Sequence, residues 1–185
     1  RTVVGLRSAW EQGHQPYEWP SGRHVAAPLA DDAAVSVIWQ AFMDGTMTEA
    51  AMADWWTTTG VFDAPATYPK SVRAVFTALL EAAPGEAVLF HCTGGKDRTG
   101  VAAALLLHLC GVDRKTIIAD YTLTNLATER ALATLDEVLR SMGPRLGIRV
   151  NQLYPLMSAR PALIEEAFAH IEATYGSVGA YLRGP

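Results

Sequence analysis

The chain has 185 residues, half of them apolar and 18% charged, which suits one domain able to bury about 70% of the surface its unfolded form exposes. A net charge of −4 argues against nucleic acid as the main partner, and no run of 18 or more apolar residues predicts a membrane span. No signal-like leader heads the sequence, which favours the cytoplasm, but the abrupt start at Arg1 without a methionine leaves secretion open.

In chain order, residues 2–7 and 24–28 predict strands, while residues 33–43 and 48–58 predict helices. The second pair carries Trp39, Phe42, Met43, Met47, Met52, Trp55 and Trp56, whose spacing favours packing on a sheet over a lid across a pocket. Tyr68 to Ala82 reads as a helix ending before Pro84-Gly85, and Ala87 to Phe90 as a buried strand. An apolar helical run from Val101 to Leu109 follows, closed by Cys110 and Gly111. Asp113 caps a helix running to about Thr124, Ala127 to Ser141 forms another, and Pro161 to Tyr175 begins with the proline that suits a first helical turn. This alternation predicts an α/β fold with a central, mostly parallel sheet flanked by helices, in a single domain over 1–185.

Between the strand at 87–90 and the helix lies His91-Cys92-Thr93-Gly94-Gly95-Lys96-Asp97-Arg98-Thr99-Gly100. Two glycines free the backbone to curl at a helix N-terminus, where amide N–H groups and the helix dipole favour an anion. Thr93, Gly94, Gly95, Lys96, Asp97 and Arg98 are therefore the candidate phosphate cradle. The same field favours the thiolate of Cys92, a nucleophile that needs no base. Arg98 offers a planar fork matching two phosphoryl oxygens, Thr99 a hydroxyl for the Cys92 sulfur, and His91 a brace from behind. Lys96 adds a second cation that favours substrates with more than one phosphate. With only two cysteines there is no disulfide framework, and Cys110 reads as a small buried hydrophobe. For the general acid, four aspartates, Asp31, Asp32, Asp54 and Asp63, precede Cys92 without a distinctive context, and Asp97 sits inside the cradle itself.

The decapeptide resembles the HCxxGxxR[ST] signature of cysteine-dependent phosphatases, and its HCxxGKDRTG form is similar to bacterial tyrosine, dual-specificity and lipid phosphatases. Leu6-Arg7-Ser8 resembles the end of that family's DLRS strand, Ala119-Asp120-Tyr121 with Thr124-Asn125 its ADYLxTN helix, and Tyr175-Gly176-Ser177 with Tyr181-Leu182 its YGSxxxYL ending. The resemblance implies hydrolysis of phosphomonoesters through a phosphocysteine, with Cys92, Asp97 and Arg98 catalytic, Asp97 as the acid and Asp31 as an auxiliary carboxylate. It implies no metal or other cofactor. The expected partners are a phosphotyrosine protein, a phosphoinositide or a small phosphorylated metabolite, with phosphate, sulfate or vanadate as site ligands. Gly5 departs from the pattern, standing where the family carries Asp, and relatives continue upstream, so an N-terminal segment is expected before Arg1. The alternative is a module of the same fold that binds phosphate but turns over poorly.

Overall fold

The computed structural model describes residues 1–19, 21–44, 46, 48, 64–141 and 154–183. Three parallel strands, β1 (Thr2–Gly5), β2 (Arg23–Ala26) and β3 (Val88–His91), pair in the order β2-β1-β3. The register sets Gly5 opposite both Ala26 and His91, so the loop after His91 leaves the sheet level with the end of β1. Val3 and Val4 are buried in the middle strand, where both flanks and both faces are covered. Ala87 to Phe90 is not the buried strand expected from its apolar run. β3 is an outer strand among the described residues, and Leu89 on it is 47% exposed.

The helices are α1 (Ala9–His14), α2 (Asp32–Met43), α3 (Ala64–Thr67), α4 (Pro69–Glu81), α5 (Asp97–Leu109), α6 (Arg114–Thr122), α7 (Thr128–Ser141), α8 (Tyr154–Met157), α9 (Pro161–Tyr175) and α10 (Val178–Arg183). A 3-10 turn at Leu123–Ala127 joins α6 to α7. Local signals account for several starts. Ser8 and Glu11 form a reciprocal capping box at α1, Pro69 and Pro161 open α4 and α9, and the Asp113 carboxylate accepts the Thr116 N–H at α6. Apart from Thr48, the predicted helix at 48–58 lies outside the described residues, as do the side chains of Trp39, Phe42, Met43, Met47, Met52, Trp55 and Trp56.

One core joins the sheet to its helices. Val4 and Leu6 meet Val72, Val75 and Ala78 of α4, Val101 and Leu105 of α5, Ile117 and Tyr121 of α6, and Ile164, Phe168 and Ile171 of α9 in a single buried cluster. The C-terminal helices are tied down by polar contacts at its edge, where Tyr175 and Tyr181 donate their hydroxyls to the carbonyls of Ala66 and Pro65. Cys110 belongs to none of this. It caps the far end of α5 and is exposed, because the buried stripe of that helix runs through Val101, Ala102, Ala104 and Leu105. The 13 residues of α5 span about 20 Å, which puts Cys110 far beyond disulfide reach of Cys92. Among the described residues, no helix is long and apolar enough to cross a membrane.

Candidate active site

The loop leaves β3 at His91 and enters α5 at Asp97, so Asp97 and Arg98 belong to the first helical turn and Lys96 occupies the cap. Gly95 takes a φ of +65, a left-handed turn that side chains resist, and it brings the chain round into the helix. Cys92 is 7% exposed at the base, while Thr93, Gly94 and Gly95 are exposed at the rim. Thr99 closes the loop on itself. Its Oγ1 accepts the Cys92 N–H at 3.1 Å and donates to the Cys92 sulfur at 3.3 Å. His91 Nδ1 lies 2.9 Å from the Cys92 carbonyl, which sets that nitrogen as the protonated one.

Arg98 is held by a residue that sequence reasoning did not single out. Its Nη1 and Nη2 donate to Oε2 and Oε1 of Glu11 at 2.5 and 2.7 Å, and Glu11 also accepts the Thr93 hydroxyl at 2.6 Å. A guanidinium has five N–H donors, and this end-on pair uses two. The edge formed by Nε and its neighbouring Nη remains for two oxygens of a phosphoryl group. Burial pushes the Glu11 carboxyl up, but the Arg98 hydrogen bonds and charge, with help from Thr93 and Ser8, outweigh it and hold it at about 2. Desolvation likewise disfavours the Arg98 cation, yet Glu11 more than offsets this and raises its pKa. The Ser8-x-x-Glu11 spacing was a readable capping box, but nothing local in it points to Arg98.

Asp97 is almost buried. Its Oδ1 accepts from Lys96 Nζ at 2.6 Å and from the Tyr121 hydroxyl at 3.1 Å. Desolvation raises the Asp97 pKa against the opposing pull of Lys96, Tyr121 and Arg98, and desolvation lowers that of Lys96. The hydroxyl of Tyr121 is itself pushed up, by burial first and then by the Asp97 charge. Tyr121 reaches this position because α5 carries Gly100 beneath its ring, where a Cβ would lie 2.7 Å from Cδ2. Lys96 Nζ also donates to the Ser158 carbonyl at 3.3 Å. The neighbouring Ala159 is clamped by Asn125, which accepts its N–H at 2.7 Å and donates to its carbonyl at 2.9 Å.

The loop carries Cys92 at its base and joins a parallel strand to a helix, and the chain matches the tyrosine phosphatase family over residues 1–184. The chain belongs to the tyrosine phosphatase family. It is 33% identical over 118 residues to the triple specificity protein phosphatase PtpB of Mycobacterium tuberculosis, covering 60% of this chain and 43% of that protein. It is 35% identical over 117 residues to a protein of Cupriavidus necator provisionally named a tyrosine-protein phosphatase, covering 63% and 41%. Over 38 residues it is 58% identical to a tyrosine-protein phosphatase of Nostoc commune, 20% of this chain and 13% of that one. The chain thus spans about two fifths of the length of the first two relatives.

Within this tyrosine phosphatase fold, Asp31 and Asp32 find their hydrogen-bond partners outside the loop. Asp31 accepts the Ala34 N–H and caps α2, and Asp32 accepts the Trp10 N–H, joining α2 to the helix that carries Glu11. Asp54 and Asp63 lie outside the described residues. Among the described residues, no three His, Cys, Asp or Glu side chains are grouped to hold a metal ion.

Proposed function

We propose that this chain hydrolyses phosphomonoesters through a phosphocysteine, with phosphotyrosine-bearing protein as the leading substrate class. The reading is supported above all by the way Glu11 takes the end of the Arg98 guanidinium and leaves its side edge for a phosphoryl group. In the same loop the Thr99 hydroxyl donates to the Cys92 sulfur, and Cys92 lies close enough to Arg98 and Lys96 to interact with their charges.

The Cys92 thiolate attacks phosphorus in line, so an S–P bond forms as the P–O bond to the leaving group breaks. Arg98 and the loop amides hold the equatorial oxygens as negative charge spreads over them. Asp97 protonates the departing oxygen. Both of its hydrogen bonds fall on Oδ1, so Oδ2 is the atom that carries this proton, and its burial favours the protonated form. Asp97 then takes a proton from water as the water oxygen attacks phosphorus, releasing inorganic phosphate and the thiolate. No step is routed through a metal.

Phosphoinositides and small phosphorylated metabolites are the other candidate substrates, though Lys96, paired with Asp97 and the Ser158 carbonyl, does not by itself favour a second phosphate. The test is phosphate release by the full chain from phosphotyrosine peptide, phosphoinositide and sugar phosphate in parallel. Turnover of the peptide is expected. Tight phosphate binding with no turnover of any substrate would instead identify a binding module.

A further inference from the structure

His91 braces the Cys92 carbonyl through Nδ1 at 2.9 Å, and its other ring nitrogen has a partner too. Nε2 lies 2.8 Å from the Tyr17 hydroxyl, which in turn lies 2.7 Å from Nε2 of His24. A carbonyl only accepts, so His91 Nδ1 is the protonated nitrogen, and in the neutral ring Nε2 is left as an acceptor. The Tyr17 O–H donates to it, and the Tyr17 oxygen accepts from His24. Three contacts hold the Tyr17 ring in place for this. The buried Arg7 guanidinium lies over it, 4.7 Å from its centre, and the His24 and His91 rings meet it edge to face with centroids 5.7 and 5.0 Å away.

In the sheet register Gly5 stands level with His91, so a side chain at position 5 would share a face of the sheet with the His91 ring. A Cβ there would lie 3.2 Å from His24 Nε2 and 3.4 Å from the Tyr17 oxygen. The place beside His91 where the family pattern carries Asp is thus taken by the Tyr17–His24 pair. We propose that Tyr17 is a positioning residue for the phosphatase reaction, its hydroxyl, backed by His24, holding His91 in the tautomer that anchors Cys92, in place of the carboxylate that Gly5 lacks. The proposal rests on the phosphocysteine reading above. The peptide between Cys92 and Thr93 is trans, so the Thr93 N–H points opposite to the Cys92 carbonyl. Anchoring that carbonyl therefore also fixes one of the loop amides on which the proposed mechanism relies, and fixes it before substrate arrives.

The test pairs nitrogen NMR of the His91 ring with kinetics on a phosphotyrosine peptide, in the full chain and in Tyr17→Phe, which keeps the ring but loses the hydroxyl. Wild-type His91 is expected to be the Nδ1-protonated tautomer, and Tyr17→Phe to move its Nε2 resonance and admit the Nε2-protonated form. In the same variant kcat/KM is expected to fall about 2–10-fold, the loss of one neutral hydrogen bond. His24→Ala, at an exposed side chain, removes the donor behind Tyr17. It is expected to move the same resonance in the same direction by less, and it decides the matter should Tyr17→Phe fail to fold. Gly5→Asp added to Tyr17→Phe, where the missing hydroxyl makes room, is expected to recover most of the lost kcat/KM. A carboxylate only accepts, so His91 in that double variant is expected to carry protons on both nitrogens while Nδ1 still donates to Cys92. Wild-type His91 protonated on Nε2 alone, or an Nε2 resonance unmoved in both single variants, overturns the hydrogen-bond assignment. Moved resonances with unchanged kcat/KM overturn the positioning role, and a loss that Gly5→Asp leaves unrepaired overturns the exchange with the carboxylate. The spectra need no substrate, so a wild type without turnover overturns the phosphatase reading while they still decide the link from Tyr17 to His91.

Discussion

Glu11 grips both terminal nitrogens of Arg98 across 87 residues of sequence, and it does so from the helix turn whose start it also caps. With side chains only 11% and 12% exposed, the pair is one whose partners cannot be separated cheaply. Glu11→Ala is expected to destabilise the fold by about 3–5 kcal/mol, because it strands a buried guanidinium. Denaturant unfolding measures this, and a loss under about 1 kcal/mol would show a pair no stronger than an exposed one.

The same pair sets an acid limit. Glu11 is held at about 2 in the folded chain against an ordinary 4.5, so its contribution is complete above pH 4.5 and is lost as pH falls toward 2. Melting temperature is expected to drop through that window in the wild type, and the drop to be shallower in Glu11→Gln. Equal slopes would place the acid sensitivity elsewhere.

Tyr121→Phe keeps the ring over Gly100 but removes the hydroxyl that donates to Asp97. That hydrogen bond favours the charged carboxylate, so losing it raises the Asp97 pKa further. If Asp97 is the acid, the alkaline fall of kcat/KM on an alkyl phosphate is expected to shift to higher pH in Tyr121→Phe. A shift the other way, or none, would detach Tyr121 from the acid. Gly100→Ala drives a Cβ into the same ring at 2.7 Å and is expected to cost about 1–3 kcal/mol in unfolding measurements.

The loop was legible because its residues are contiguous and sit between an apolar strand and an apolar helix. Its supports were not, because each comes from a distant segment. Glu11, Tyr121 and Asn125 carry readable local signals, a capping box and two positions in motif-like helices, but which loop residue or neighbour each one meets depends on tertiary packing. Helix limits were read to within a few residues at Pro161–Tyr175 and Arg114–Thr122, where proline and Asp113 punctuate the chain. The burial of Cys110 and Leu89 was misjudged for a common reason. Apolar composition does not say which face of a helix end or outer strand meets the core.

Asp97→Asn is expected to slow the phosphorylation of Cys92 by alkyl phosphates far more than by activated aryl phosphates, since only a poor leaving group needs a proton. Asp31→Asn, whose carboxylate caps α2, is expected to leave that ratio unchanged. Leaving-group dependence that follows Asp31 instead would move the acid out of the loop.

The central claim is a covalent bond between Cys92 and phosphorus. Rapid acid quenching of the full chain during turnover of a phosphotyrosine peptide, followed by mass spectrometry of its proteolytic fragments, tests it directly. A single phosphoryl group on the sulfur of Cys92, absent from Cys92→Ser protein that still binds vanadate, is the result the mechanism predicts. Undiminished phosphate release by Cys92→Ser, or a phosphoryl group carried on any other residue, would contradict it.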